Sequence, residues 1–225
     1  MWRDTLAMAE KDLRIELRSR VVLNQVVPFA VMVLLLFAFA LGPRKSAMVD
    51  AAGGVFWVAL LFATVLGIQR SSALEAGEGT RDGLRMSGID PAGIFLGKAV
   101  AVFVELMMLE VVLGAGVFLF YGSHLRSAGP LVVSAVAGTA GLAAVGTLYG
   151  TLASGMRVRE TLLPFLLLPV VAPVLLAGTR AWQIALGSSS GAGGSLSAWI
   201  ELLVVFAVVY LALGVVIYGP LLEAV

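Results

Sequence analysis

Apolar residues dominate six stretches of this chain, 21–41, 51–68, 99–121, 131–156, 162–179 and 202–222, and polar residues gather in the segments between them. A bilayer-spanning helix needs roughly 20 apolar residues at about 1.5 Å rise each, so the pattern predicts six transmembrane helices. Before the first stretch the periodicity changes. Trp2, Leu6, Ala9, Leu13 and Leu17 recur at helical spacing while charged residues fill the remaining circumference, which predicts an amphipathic interfacial helix over residues 1–20, lying along the membrane surface. Glu10 with Arg14, and Glu16 with Arg20, are i,i+4 pairs in the favourable order, together worth at most about 1 kcal/mol. They support helicity and imply no binding site.

The longest polar stretch runs over 69–98, with Glu75, Glu78, Asp82 and Asp90 among Arg70, Arg81 and Arg85. Gly77, Gly79, Gly83 and Gly88 argue against one long helix there, because an interior glycine costs about 1 kcal/mol relative to alanine. A short helix flanked by turns is predicted instead. Asp90 followed by Pro91 reads as an N-cap and first helical position, so the third spanning helix is expected to begin outside the bilayer.

Six crossings put both termini on one side. Eleven of the fifteen Lys and Arg residues then share that side: Arg3, Lys11, Arg14, Arg18, Arg20, Arg70, Arg81, Arg85, Lys98, Arg157 and Arg159. Arg44, Lys45, Arg126 and Arg180 are opposite, and no Lys or Arg falls within the six stretches. This asymmetry predicts cytoplasmic termini and a cytoplasmic 69–98 segment. Composition agrees: 60% hydrophobic and 13% charged residues, with a mean hydropathy of +1.02, are far from soluble averages. Ala38, Phe39 and Ala40 mimic a signal-peptide cleavage site, but the apolar run before them is about twice a usual signal core, so a retained helix is expected. Without cysteine there is no disulfide, thiolate metal site or haem-attachment motif. The net charge of +1 says nothing about partners; the lipid bilayer is expected as one, and no nucleic acid is.

Glu105 and Glu110 lie inside the third stretch, Glu110 near its middle. A charged carboxylate there costs about 3 kcal/mol on insertion scales, which favours an uncharged carboxyl bonded across a helix interface, or a polar cavity. Five residues put the two glutamates about 140° apart around the helix, so they form no paired site. In the fourth stretch Gly138, Leu142, Gly146, Gly150 and Ser154 recur every four residues, a mostly small face suited to close helix approach. Pro164, Pro169 and Pro173 interrupt the fifth, predicting a helix kink and, as a functional alternative, a moving element. Around Gly93, Gly97 and Lys98 the spacing is one residue short of a nucleotide-binding loop and lacks its Ser or Thr, so no ATPase site, and no catalytic or metal site, is expected in this chain. Gly187 to Gly191 matches a nucleophile-elbow pattern but sits in a Ser/Gly-rich loop without the strand and helix that pattern needs. The single histidine, His124, follows the third stretch in a short outer loop and gives no cluster for a metal or haem.

An amphipathic start, six spans and a long charged segment between spans two and three resemble the permease subunits of type-2 ABC exporters. The stretch GVFWVALL from Gly54, then Gln69, Arg70, Glu75, Glu78, Gly79, Thr80, Asp82, Gly83 and Leu84, IFLGKA from Ile94, and LLPVVAPVL from Leu167 look like the CcmB family of the bacterial cytochrome c maturation system. The resemblance covers nearly the full length and departs at Gln69, Gly88 and the Gly/Ser-rich outer loop. It implies an all-α polytopic protein with a single transmembrane permease domain over 1–225. The segment 69–98 would be a coupling loop on which a separate cytoplasmic ABC ATPase docks, with Arg70, Glu75, Glu78, Gly79, Asp82, Gly83 and Leu84 as its contact residues. The implied setting is the bacterial inner membrane. The other implied partners are a haem-handling membrane protein and, indirectly, a periplasmic haem chaperone. Haem would be cargo rather than a directly bound cofactor, and ATP would act only through the partner. A type-2 permease for a drug, lipid or glycan, or a non-transporting membrane scaffold, would share the fold.

Overall fold

The computed structural model describes residues 2–20, 22–77, 90–122, 126–154, 159–188 and 194–224. Among these the chain is helical, with no strand. Helix α1, Trp2–Ser19, leads through a five-residue π-helical turn, Val22–Val26, into α2, Val27–Leu41. Then follow α3, Lys45–Gly77; α4, Pro91–Tyr121; α5, Ala128–Ser154; α6, Arg159–Ala185; and α7, Leu196–Ala224. Six stretches are long and apolar enough to cross a membrane: Asn24–Leu41, which joins the end of the π-helical turn to α2, and one in each of α3 to α7.

Helix ends follow local chemistry. At α4, the Asp90 carboxylate accepts a hydrogen bond from the Ala92 amide at 3.0 Å and Pro91 takes the first turn, where a missing N–H costs nothing. Its far end is closed by Gly122 at φ 58°, in the left-handed region where a side chain would be strained. Helix α3 differs from expectation: it runs unbroken from Lys45 to Gly77 and so includes 69–77. Gly77 is its last residue, where glycine carries little of the interior penalty, and Gly79, Gly83 and Gly88 come after it. Prolines 164, 169 and 173 likewise do not end α6, which continues to Ala185. Arg180 therefore sits inside that helix, a correction to the expectation that no basic residue falls within the spans; α3 also begins on Lys45. A spanning helix tolerates a cation in its last turns because the long side chain reaches back toward the interface.

Helices α3 and α5 form the interior, with 67% and 61% of their spanning stretches buried; α2 and α7, at 17%, are peripheral. Lipid tails are as apolar as leucine, so close packing rather than the hydrophobic effect must hold such helices together. The glycines show how. Trp57 of α3 is wedged between Gly138 of α5 and Gly178 of α6, where added Cβ atoms would lie 2.2 and 2.3 Å from its ring. Gly146 of α5 receives Ile68 of α3 in the same way, so the small face read from sequence is the α3 contact. Beside the wedge, Phe56 stacks on Trp182 with ring centroids 3.7 Å apart. A smaller cluster of Met8, Ile94, Phe95, Ala99, Ala144 and Tyr218 ties α1, α4, α5 and α7 together.

The starts of α3 and the end of α4 lie at one level, since Lys45 reaches the position a Gly122 Cβ would take, at 3.7 Å. Measured from there at 1.5 Å per residue, a hydrocarbon layer of about 30 Å ends near Val65 on α3 and near Ala101 on α4. Both helices then continue beyond it by roughly 15 to 18 Å. They project together on the side of the N-terminus.

Candidate functional site

The two projecting helix ends carry the segment the sequence singles out. Arg70 and Glu75 lie on the last turns of α3, with their backbones helical. Glu78, Gly79, Asp82, Gly83 and Leu84 lie outside the described residues, as does His124. On the other side of the segment, Asp90 anchors the start of α4, and Phe95 packs on α7, where a Cβ on Gly214 would lie 2.0 Å from its ring. The segment is thus mounted on two long helices, one of which is fixed to three others near its Pro91 end.

The intramembrane carboxylates occupy different settings. Glu110 is about 16 Å from the Tyr121 end of α4, close to mid-bilayer. It is 6% exposed, and Thr139 of α5 donates its hydroxyl to Glu110 Oε1. Its Oε2 has no partner among the described residues. Thr64 and Thr147 instead return their hydroxyls to the carbonyls one turn back on their own helices, each at 2.8 Å, the usual outlet for a hydroxyl in a spanning helix. The Thr139 bond between α4 and α5 was not read from sequence. Its signal was a threonine directly after Gly138, off the small face, in the helix next in sequence to the one carrying the glutamate. Glu105 lies about 8 Å nearer the Pro91 end. It is half-buried, with Glu16 and Asp12 of α1 as the charges acting on it.

Near the start of α3 and the end of α6 the two helices are locked by a polar network, also missed in the sequence because Asp50 is more than 130 residues from its partners. Gln183 donates its amide to the Asp50 carbonyl at 3.0 Å, Ser188 donates to the Asp50 carboxylate, and Arg180 donates to the Gln183 side-chain oxygen at 3.2 Å. On α6, Pro169 and Pro173 share an exposed face with Phe165, while Pro164 is half-buried. Neither exposed proline can donate to the carbonyl four residues earlier, so Phe165 and Pro169 lose their normal helix partners on that face. Among the described residues no cluster of three or more His, Asp or Glu has metal-binding geometry.

The CcmB protein family matches residues 3–221. The Heme exporter protein B of Rhodobacter capsulatus is 30% identical over 176 residues, covering 77% of this chain and 80% of the relative. That of Paracoccus denitrificans is 30% identical over 179 residues, 78% of this chain and 80% of the relative. That of Pseudomonas aeruginosa is 27% identical over 184 residues, with 82% and 81% covered. With the family match spanning almost every residue from α1 to α7, the chain belongs to the CcmB protein family.

Proposed function

We propose that this chain is the membrane permease subunit of an ABC complex that exports haem, or prepares it for delivery to a periplasmic chaperone, in c-type cytochrome assembly. The observation that carries this reading is similarity to Heme exporter protein B across about four-fifths of each relative. It has no ATP site in this role and depends on a cytoplasmic ATPase subunit. The docking element is the segment between α3 and α4, with Arg70, Glu75, Glu78, Gly79, Asp82, Gly83 and Leu84 as contact residues.

The geometry supports a mechanical role. Force applied at 78–89 acts on two helices of 33 and 31 residues whose far ends lie side by side at the outer surface. A helix held by its own hydrogen-bond ladder transmits a rigid-body shift with little internal loss, and packed interfaces respond by jumping between arrangements rather than deforming. The Pro169/Pro173 face of α6 is where we place the contact with another subunit or the cargo path. Carbonyls without helix partners are tolerated at membrane depth where protein or water covers them, and not against lipid.

In this scheme both termini are cytoplasmic and the membrane is the bacterial inner membrane. Haem is cargo, handed on with a second haem-handling membrane protein, and no residue of this chain is assigned as its ligand. The test replaces the Heme exporter protein B of Paracoccus denitrificans with this chain and measures c-type cytochromes by haem staining. Restored cytochromes are expected, with loss on joint charge reversal of Glu78 and Asp82. The reversal should also lower co-purification of the ATPase while leaving the permease's membrane abundance unchanged. Absence of cytochromes with normal assembly of the complex would move the cargo to another substrate.

A further inference from the structure

We propose that the outward flank of α1 binds the headgroups of anionic phospholipids in the leaflet on the N-terminal side, and so sets the depth of α4. Placed at 100° per residue, α1 divides into three sectors about 100° apart. The first, Thr5, Met8, Ala9, Asp12 and Glu16, is turned to the protein: Thr5, Met8 and Ala9 are buried, and Asp12 and Glu16 are half-buried. The second holds Trp2, Leu6, Leu13 and Leu17. Trp2, Leu6 and Leu17 are 73%, 57% and 66% exposed and Leu13 is half-buried, so of the apolar stripe read from sequence only Ala9 is buried and most of the rest is left open. The third holds Arg3, Arg14 and Arg18, all exposed.

The charges on that third sector are poorly matched within the chain. Arg14 pairs with Glu10, and Lys11 with Asp12 at 3.0 Å, but Arg3 and Arg18 have no ion-pair partner among the described residues. Two of the helix's acidic residues are spent on the protein side. An apolar stripe bordered by uncompensated arginines matches a leaflet boundary, with tails against Trp2, Leu6 and Leu17 and phosphates against the guanidinium groups. The depth agrees. Gly97, which seats α1, is about 36 Å from the outer end of α4, just past a hydrocarbon layer of about 30 Å and so at headgroup level.

The seat is also close. A Cβ on Gly97 would lie 2.6 Å from Met8 Cβ and 2.7 Å from the Thr5 carbonyl oxygen. The glycine thus lets α1 rest directly on the backbone of α4, so a shift of α1 is passed to α4 through that contact. A lipid held by α1 therefore acts on the helix that enters the 78–89 segment.

The experiment uses the full-length chain. It is purified from mixed micelles of phosphatidylcholine and phosphatidylglycerol, and the co-purified lipids are measured by mass spectrometry. Each arginine at an anionic surface is worth about fivefold in association. Arg3→Gln with Arg18→Gln is expected to lower the phosphatidylglycerol preference by about 25-fold, and Arg3→Lys with Arg18→Lys to retain it. Arg44→Gln with Arg126→Gln, at the opposite end, should change it far less. Because the chain has no cysteine, Leu6→Cys also gives a single labelling site. In nanodiscs a nitroxide there should respond to membrane-dissolved oxygen rather than to an aqueous nickel chelate. Equal effects of the two glutamine pairs, or none from either, would overturn the proposal. So would a nitroxide exposed to water until the ATPase subunit is added, which would make this flank a protein-docking surface.

Discussion

Glu110 offers the sharpest test of how this bundle accommodates a carboxyl at mid-bilayer. Its setting is one hydroxyl from Thr139, an Oε2 without a partner, and no cation within reach among the described residues. Glu110→Gln keeps an acceptor for Thr139 and carries no charge, so it should leave stability within about 1 kcal/mol of wild type. An ionised carboxylate at this depth costs about 3 kcal/mol, and glutamine would then stabilise by about that amount. Thr139→Val removes the donor and leaves Oε1 orphaned. We expect a cost near 1 kcal/mol, between the roughly 0.6 kcal/mol average for interhelical bonds in membranes and the roughly 3 kcal/mol upper range for a buried unsatisfied group. Replacing both, Glu110→Met with Thr139→Val, removes donor and acceptor together and should cost less than the two single changes added. The assay is reversible unfolding in mixed detergent micelles followed by far-ultraviolet circular dichroism. A gain of about 3 kcal/mol in Glu110→Gln would refute the uncharged state. A double variant at least as destabilised as the sum would refute the Thr139 pairing.

The Trp57 wedge predicts that Gly138→Ala costs about 1–3 kcal/mol by overpacking, because the new Cβ would lie 2.2 Å from Trp57 Cη2. Trp57→Phe removes that atom, so the combination should be less destabilised than the two effects added, measured by the same unfolding assay. Reporters fused after Arg20, Gly83 or Arg159 should read as cytoplasmic and those after Lys45, Ser127 or Ser190 as external; an external signal at Gly83 would defeat the coupling role of that segment. Haem added to the isolated subunit should give no saturable one-to-one Soret spectrum that is lost in His124→Ala. A spectrum of that kind would make the chain a direct haem carrier.

Much of the architecture was legible in the chain because membrane helices obey a local rule. Every backbone polar group must be satisfied within the segment, so about 20 apolar residues in a row leave only a helix. The six spans, the amphipathic start, the Asp90–Pro91 cap and the small face of α5 all follow from residues close together in sequence. Helix lengths were less legible. Hydropathy reports where water ends, whereas α3 continues to Gly77 and α6 to Ala185 because a helix's hydrogen-bond ladder does not depend on the hydrocarbon around it.

Partnerships between distant residues were decided by the tertiary structure. Sequence identified Glu110 as a residue needing an explanation; only packing of α4 against α5 supplied Thr139 as its partner. The stripe of Trp2, Leu6 and Leu17 was plain from spacing, but the spacing did not show that α1 would set a different face, with Met8 against Gly97, on α4. The Asp50, Gln183 and Ser188 lock joins residues more than 130 positions apart. Period and hydropathy are properties of one helix, and they determined which segments cross the membrane and which faces are apolar. Which face meets which neighbour depends on the depth and rotation of two helices at once, and that was settled where glycines let side chains such as Trp57 and Met8 approach a second backbone.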